Sequence, residues 1–275
     1  MTAPQPFTEV VLITGATSGL GRGLALDLAP RGATLLLHGR DPDRLAALAS
    51  DLREAAPDAV VRTYPADLAD LDDVRALGER VAAAEPRLGV LVNNAAVGFG
   101  ADPSLRETSA QGHELRFAVN HLAPHLLTAL LTPLLVASAP ARVVNVASIG
   151  QAPLDFDDLA MTGSYEGTPA YRRAKLAMIM STFDLAERLR PTGVTVNALH
   201  PATLMDTTMV RDAGISPRST LEDGLRPTAR LVVDPALATV TGRYFDRFAD
   251  TRAHEQAYDP EARARLAAAT AALLA

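Results

Sequence analysis

The chain has 275 residues, 48% hydrophobic and 21% charged, enough for a full buried core in one large domain or two small ones. A formal net charge of -6, with no basic run interleaved with aromatics, argues against a polyanion-binding surface, so nucleic acid is not an expected partner. Cysteine is absent, which excludes disulfides and thiolate metal sites; no apolar stretch approaches the ~18 residues of a membrane span and the start lacks a basic end before an apolar run, so a cytoplasmic location is expected.

Along the chain, strand and helix signals alternate. Apolar runs of strand length fall at 10–15, 33–39, 59–64, 88–94, 141–148, 193–199 and 238–245, and helical segments are predicted at 19–30, 41–56, 70–85, 111–137, 168–190 and 219–233. The first strands are apolar almost without alternation, as in strands covered on both faces. No linker rich in proline or glycine interrupts the pattern. An α/β fold follows: a single doubly wound domain over residues 10–275, with a seven-stranded parallel sheet and helices on both faces, after a flexible N-terminus at 1–9. The tail "EARARLAAATAALLA" is compositionally biased towards alanine.

The first strand runs directly into "TGATSGLG", with Gly15, Gly19 and Gly21, and then into a helix. Glycines there free the turn's backbone angles and let a phosphate approach the main chain at the positive end of the helix. The spacing differs from G-x-G-x-x-G, and no lysine follows as in a Walker sequence. Further on come "NNAA" after the fourth strand, "FAVNHLAPHLL" with Asn120, "VNVAS" ending on Ser148, and "YRRAK" with Tyr171 and Lys175. Positions four apart on a helix share a face, so the Lys175 ammonium can lie near the Tyr171 phenol and favour its ionised form.

These five motifs, in this order and on these elements, resemble the short-chain dehydrogenase/reductase family over roughly residues 10–245. The segment between Ser148 and Tyr171, which is longer than usual in the family and holds "DFDDL", is similar to that of the retinol-dehydrogenase-like branch. The resemblance implies a Rossmann fold and a hydride transfer between NADP(H) and a carbonyl or secondary alcohol. It gives Tyr171 as the acid/base, Lys175 as tuner of the phenol and donor to the nicotinamide ribose, Ser148 as polariser of the carbonyl, and Asn120 as holder of a water that links Lys175 to solvent. It also implies cofactor contacts from Gly15, Thr17, Ser18, Gly19, Leu20 and Gly21 in the turn, Asp67 and Leu68 after the third strand, Asn93 and Ala95 after the fourth, and Pro201, Thr203 and Leu204 after the sixth. Alanine at 96 and 202 departs from the family's glycines.

At the end of the second strand, Gly39 leaves room for a 2'-phosphate and Arg40 offers it a fork of donors, which favours NADP(H) over NAD(H); Asp41 as a ribose ligand is the alternative. Residues 205–220 are expected to form a lid, with Met205 facing the substrate. His121 and His125 stand four apart, but no third ligand is evident, so no metal is expected. The family's subunit-packing helices correspond to 111–137 and 168–190, which implies a homodimer or homotetramer. A non-catalytic NADP(H)-binding sensor or interaction module, and an epimerase or dehydratase that retains its cofactor, are the alternative functions.

Overall fold

All seven predicted strands form in the computed structural model, which describes residues 6–275. They are β1 (Val10–Ile13), β2 (Thr34–Gly39), β3 (Val61–Pro65), β4 (Val90–Asn93), β5 (Ala141–Val146), β6 (Val194–His200) and β7 (Tyr244–Asp246), parallel in the order β3-β2-β1-β4-β5-β6-β7. An eighth strand, β8 (Ala249–Thr251), pairs antiparallel with β7, so the sheet has eight strands and is mostly, not wholly, parallel. β8 is exposed throughout and polar at its centre, so it carried no apolar pattern. β7 starts later than predicted, and ahead of it the Asn197 side chain donates to the Val240 carbonyl and accepts from the Arg243 N–H.

The crossovers are α1 (Gly19–Leu28), α2 (Pro42–Ala55), α3 (Leu71–Ala84), α4 (Leu115–Phe117) continuing through a π-helical turn (Ala118–Leu122) into α5 (Ala123–Ala137), and α6 (Gly167–Leu189). After β6 come the short α7 (Thr208–Asp212), α8 (Leu221–Val233) and a terminal α9 (Pro260–Leu274). Local chemistry fixes the starts: Asp41, Asp70 and Asp259 cap α2, α3 and α9 by accepting first-turn N–H groups, and Thr220 and Asp223 form a reciprocal capping box on α8. Helix α9 is the alanine-biased tail; its buried Ala262, Leu266 and Thr270 recur every four residues and face α6.

Strand alternation divides the core between the two faces of the sheet. Val11, Ile13, Leu35 and Leu37 pack under α1, α2 and α8, whereas Leu12, Leu36 and Leu91 pack under α3 and α5. A third cluster joins α6, α9 and the segment holding Leu154 and Met161. By length and composition Leu115–Ala137 could cross a membrane, contrary to the expectation from sequence, but 56% of its apolar window is buried inside this fold. Of the N-terminal segment 1–9, residues 1–5 lie outside the described residues; beyond them, the Phe7 N–H donates to the Arg31 carbonyl, and its side chain packs on the first cluster.

Candidate active site

Order β3-β2-β1-β4 reverses the direction of winding between β1 and β4, and the crevice beyond the strands' carboxyl ends at such a point is where ligands bind in this architecture. The glycine turn sits there. Gly15 and Gly19 have φ of +66° and +50°, the left-handed region that glycine tolerates. A Cβ on Gly15 would lie 2.8 Å from Ala95 Cα, and one on Gly21 would collide with the Gly15 carbonyl, so α1 packs directly on the turn. Ser18 starts α1 in an extended conformation without a side-chain cap, and no acidic residue occupies the first turn. The α1 N–H groups are thus left for an anion, which fits the phosphates of a dinucleotide.

Residues after β4 are stitched to this turn. Thr14 Oγ1 accepts from the Asn94 and Ala95 N–H groups at 2.9 and 3.0 Å, and Asn94 Nδ2 donates to the Thr14 carbonyl at 2.8 Å. Asn93 points the other way: buried, it donates to Thr128 and Asn145 at 3.0 and 2.8 Å, so its amide is a sheet-to-helix tie and not a groove contact. Neighbours on a strand face opposite sides, which is why Asn94, not singled out from sequence, is the asparagine at the turn.

The adenine end is built by β2 and β3. A Cβ on Gly39 would lie 2.7 Å from Thr17 Cγ2, so glycine is what lets β2 approach the turn. Arg40 is exposed beside it. Asp41 Oδ1 accepts from the N–H groups of Asp43 and Arg44 at 2.9 and 3.2 Å, capping α2. Asp67 accepts from the Ala69 N–H at 2.9 Å. Leu20 and Leu68 bury their side chains in the core and leave only main chain for a ligand.

On the other side of the switch point, Ser148 lies two residues past β5, and Tyr171 and Lys175 lie on the face of α6 turned towards it. The Ser148 hydroxyl accepts from the Gly150 N–H at 3.0 Å. Lys175 is fully buried; Nζ donates to the Val146 carbonyl at 2.8 Å and stands 5.8 Å from the Tyr171 ring centre. Phe99 closes the group, its ring edge-on to Tyr171 at 4.9 Å between centroids. Burial pushes the phenol above its ordinary value, opposed by Ser148, and burial brings the ammonium down to about 7. The expected lowering of Tyr171 by Lys175 is therefore not what governs the phenol in this protein without ligand. Desolvation outweighs a cation that is itself held back by desolvation.

Asn120 Oδ1 accepts from the Val97 N–H at 2.9 Å and its Nδ2 donates to the Val97 carbonyl at 3.0 Å, so the side chain clamps the loop after β4. Its place in the π-helical turn, a feature that frequently marks functional sites, puts that clamp on the element that packs against α6.

After β6, Pro201 is buried, Thr203 is exposed and reaches His200 Nε2 at 3.1 Å, and Leu204 has φ of +49°. The segment 205–220 covers the turn and the β4 loop: Thr207 abuts Gly19, and a Cβ on Gly98 would lie 2.7 Å from Met209 Cγ. Met205 instead packs on the first core cluster, in a space that exists because residue 224 is glycine. Among the described residues no group of three or more His, Cys, Asp or Glu is arranged to hold a metal. His121 Nε2 is occupied by Thr270 Oγ1 at 2.8 Å.

Residues 9–216 match the family described as short chain dehydrogenase. Human retinol dehydrogenase 13 is 36% identical over 97% of this chain and 84% of its own. A structure from Mycobacterium paratuberculosis superposes with a TM-score of 0.78 at 28% identity, covering 98% of this chain and 95% of that one. A short-chain dehydrogenase from Sphingobium yanoikuyae in complex with NADPH does so with 0.67 at 30% identity, over 82% and 84%. The chain belongs to the short chain dehydrogenase family, near its retinol dehydrogenases, and is an oxidoreductase of that family.

Proposed function

We propose that the protein reduces a carbonyl on a small molecule, or oxidises the corresponding secondary alcohol, with NADP(H). The observation that carries this reading is the convergence of the Ser148–Tyr171–Lys175 group and the uncapped glycine turn at one end of the sheet. When bound, NADP(H) supplies or accepts the hydride. The residues of the chain manage the oxygen. Ser148 polarises the carbonyl, and Tyr171 donates to the oxygen as negative charge develops. Lys175 resupplies charge near the phenol and binds the ribose.

The preference for NADP(H) rests on Gly39 and Arg40 and on the NADPH bound by the Sphingobium relative. Arg40→Ala is expected to cost about tenfold to a hundredfold in NADPH affinity while NADH affinity changes little, since a charge-assisted contact is lost. Titration calorimetry with both cofactors checks it, and equal losses for both would remove Arg40 from the phosphate. Gly39→Asp is the poorer probe because its Cβ would strike Thr17. The reaction itself is tested by following nicotinamide absorbance across a panel of ketones, aldehydes and secondary alcohols. Oxidation of NADPH by a carbonyl compound supports the reading; tight NADPH binding with no turnover on any of them supports the sensor reading instead. The chain is further proposed to form a homodimer or homotetramer packed through α5 and α6, as the family resemblance implies, which light scattering checks.

A further inference from the structure

His38 is a polar residue at the end of an otherwise apolar strand, and it is 2% exposed. The main chain at the end of β2 extends the sheet on both sides: the Ala16 N–H donates to the His38 carbonyl at 2.8 Å, and the Ala66 N–H to the neighbouring Gly39 carbonyl at 3.2 Å. The ring repeats this bridge. The Gly15 N–H donates to Nδ1 at 3.2 Å, and Nε2 lies 3.1 Å from the Ala66 carbonyl. Only one protonation state satisfies both contacts, with Nδ1 bare and the proton on Nε2, because a carbonyl needs a donor and an amide N–H needs an acceptor.

Gly15 opens the turn on which the phosphates would sit, and Ala66 precedes Asp67 and Leu68 on the adenine side. A single imidazole thus spans the two halves of the nucleotide pocket. We infer that His38 is a positioning residue of the dinucleotide site: as the Nε2–H tautomer it fixes the glycine turn against the end of β3, so that cofactor affinity depends on the acceptor it presents to Gly15. This rests on the NADP(H)-binding reading. Burial brings the imidazole down to about 4, with Asp67 after β3 opposing and Arg80 on α3 assisting, so the ring stays neutral over the working range. An aliphatic side chain here would fill the space but leave the Gly15 N–H and the Ala66 carbonyl without these partners.

Three substitutions separate positioning from packing. His38→Asn places an amide oxygen where Nδ1 stands, His38→Gln reaches only the Nε2 position, and His38→Leu offers neither. NADPH dissociation constants are measured by calorimetry well below each variant's unfolding midpoint. His38→Leu and His38→Gln are expected to bind about tenfold more weakly, and His38→Asn within about threefold of the parent. A packing role would instead favour leucine and make Asn and Gln equally poor, and either that order or parent-like binding by His38→Leu overturns the inference. The imidazole nitrogen shifts of the parent give a second reading that needs no variant: Nε2–H is expected, and an Nδ1–H or doubly protonated ring contradicts it. If the parent fails to bind NADPH at all, the functional reading falls and takes this one with it, whereas parent binding with unaltered variants removes His38 alone.

Discussion

Burying an ammonium costs free energy unless something opposes it, and Lys175 has one carbonyl and no carboxylate. A side chain that folding brings from 10.5 to about 7 is retained against stability, as functional groups are. Lys175→Met is therefore expected to raise the thermal midpoint while lowering turnover and NADPH affinity together, which unfolding scans and calorimetry on one preparation would show. A lower midpoint with intact binding would make Lys175 a structural lysine. Tyr171, Lys175 and Ser148 were legible because their order and spacing constrain chemistry wherever they occur on this alternation of elements. The side-chain partners of Asn93, Asn120 and His38 were not, because spacing does not say which face of a strand or which polar partner a side chain meets. The second asparagine of "NNAA" and the lone histidine in "LLLHG" were the available signals, since alternation puts Asn94 opposite Asn93 and a buried histidine must find two partners.

At the scale of elements, the lid is better understood as two methionines with different jobs. Met205 is tied to α8 through Gly224 and the first cluster, whereas Met209 on α7 rests on Gly98 of the β4 loop that carries Phe99. Met205→Ala is expected to lower stability, within the roughly 2 to 5 kcal/mol range of methionine truncations and towards its lower end because the residue is only half-buried, with little change in KM. Met209→Ala should leave stability nearly intact and raise KM for a bulky substrate. Denaturant unfolding and steady-state kinetics on the pair check it; equal behaviour of the two would dissolve the distinction. Most strands and crossover helices were readable because buried parallel strands are continuous apolar runs and their helices have caps. The pieces that escaped, β8 and α9, are held by an edge pairing and by small residues, which leave little hydrophobic contrast.

Across the whole molecule, four histidines, His38, His121, His125 and His200, are all held below the ordinary 6.5 by burial. The unfolded chain takes up protons as pH falls through 6.5 while the folded chain does not, so this stability is complete above 6.5 and is lost progressively below it, for His38 down to about 4. A urea midpoint lower at about pH 5 than at about pH 7.5 is expected, and an unchanged midpoint would mean that these rings are solvated. The sheet, the glycine turn and α6 together bring one phenol to the place where a carbonyl would meet the nicotinamide, and the functional reading stands on that hydroxyl. Single-turnover reduction by Tyr171→Phe, with a carbonyl substrate that the parent accepts and NADPH binding measured alongside, addresses it most directly. Turnover is expected to fall about 10² to 10⁴-fold while the NADPH dissociation constant stays within about threefold of the parent; turnover close to that of the parent would contradict Tyr171 as the proton donor.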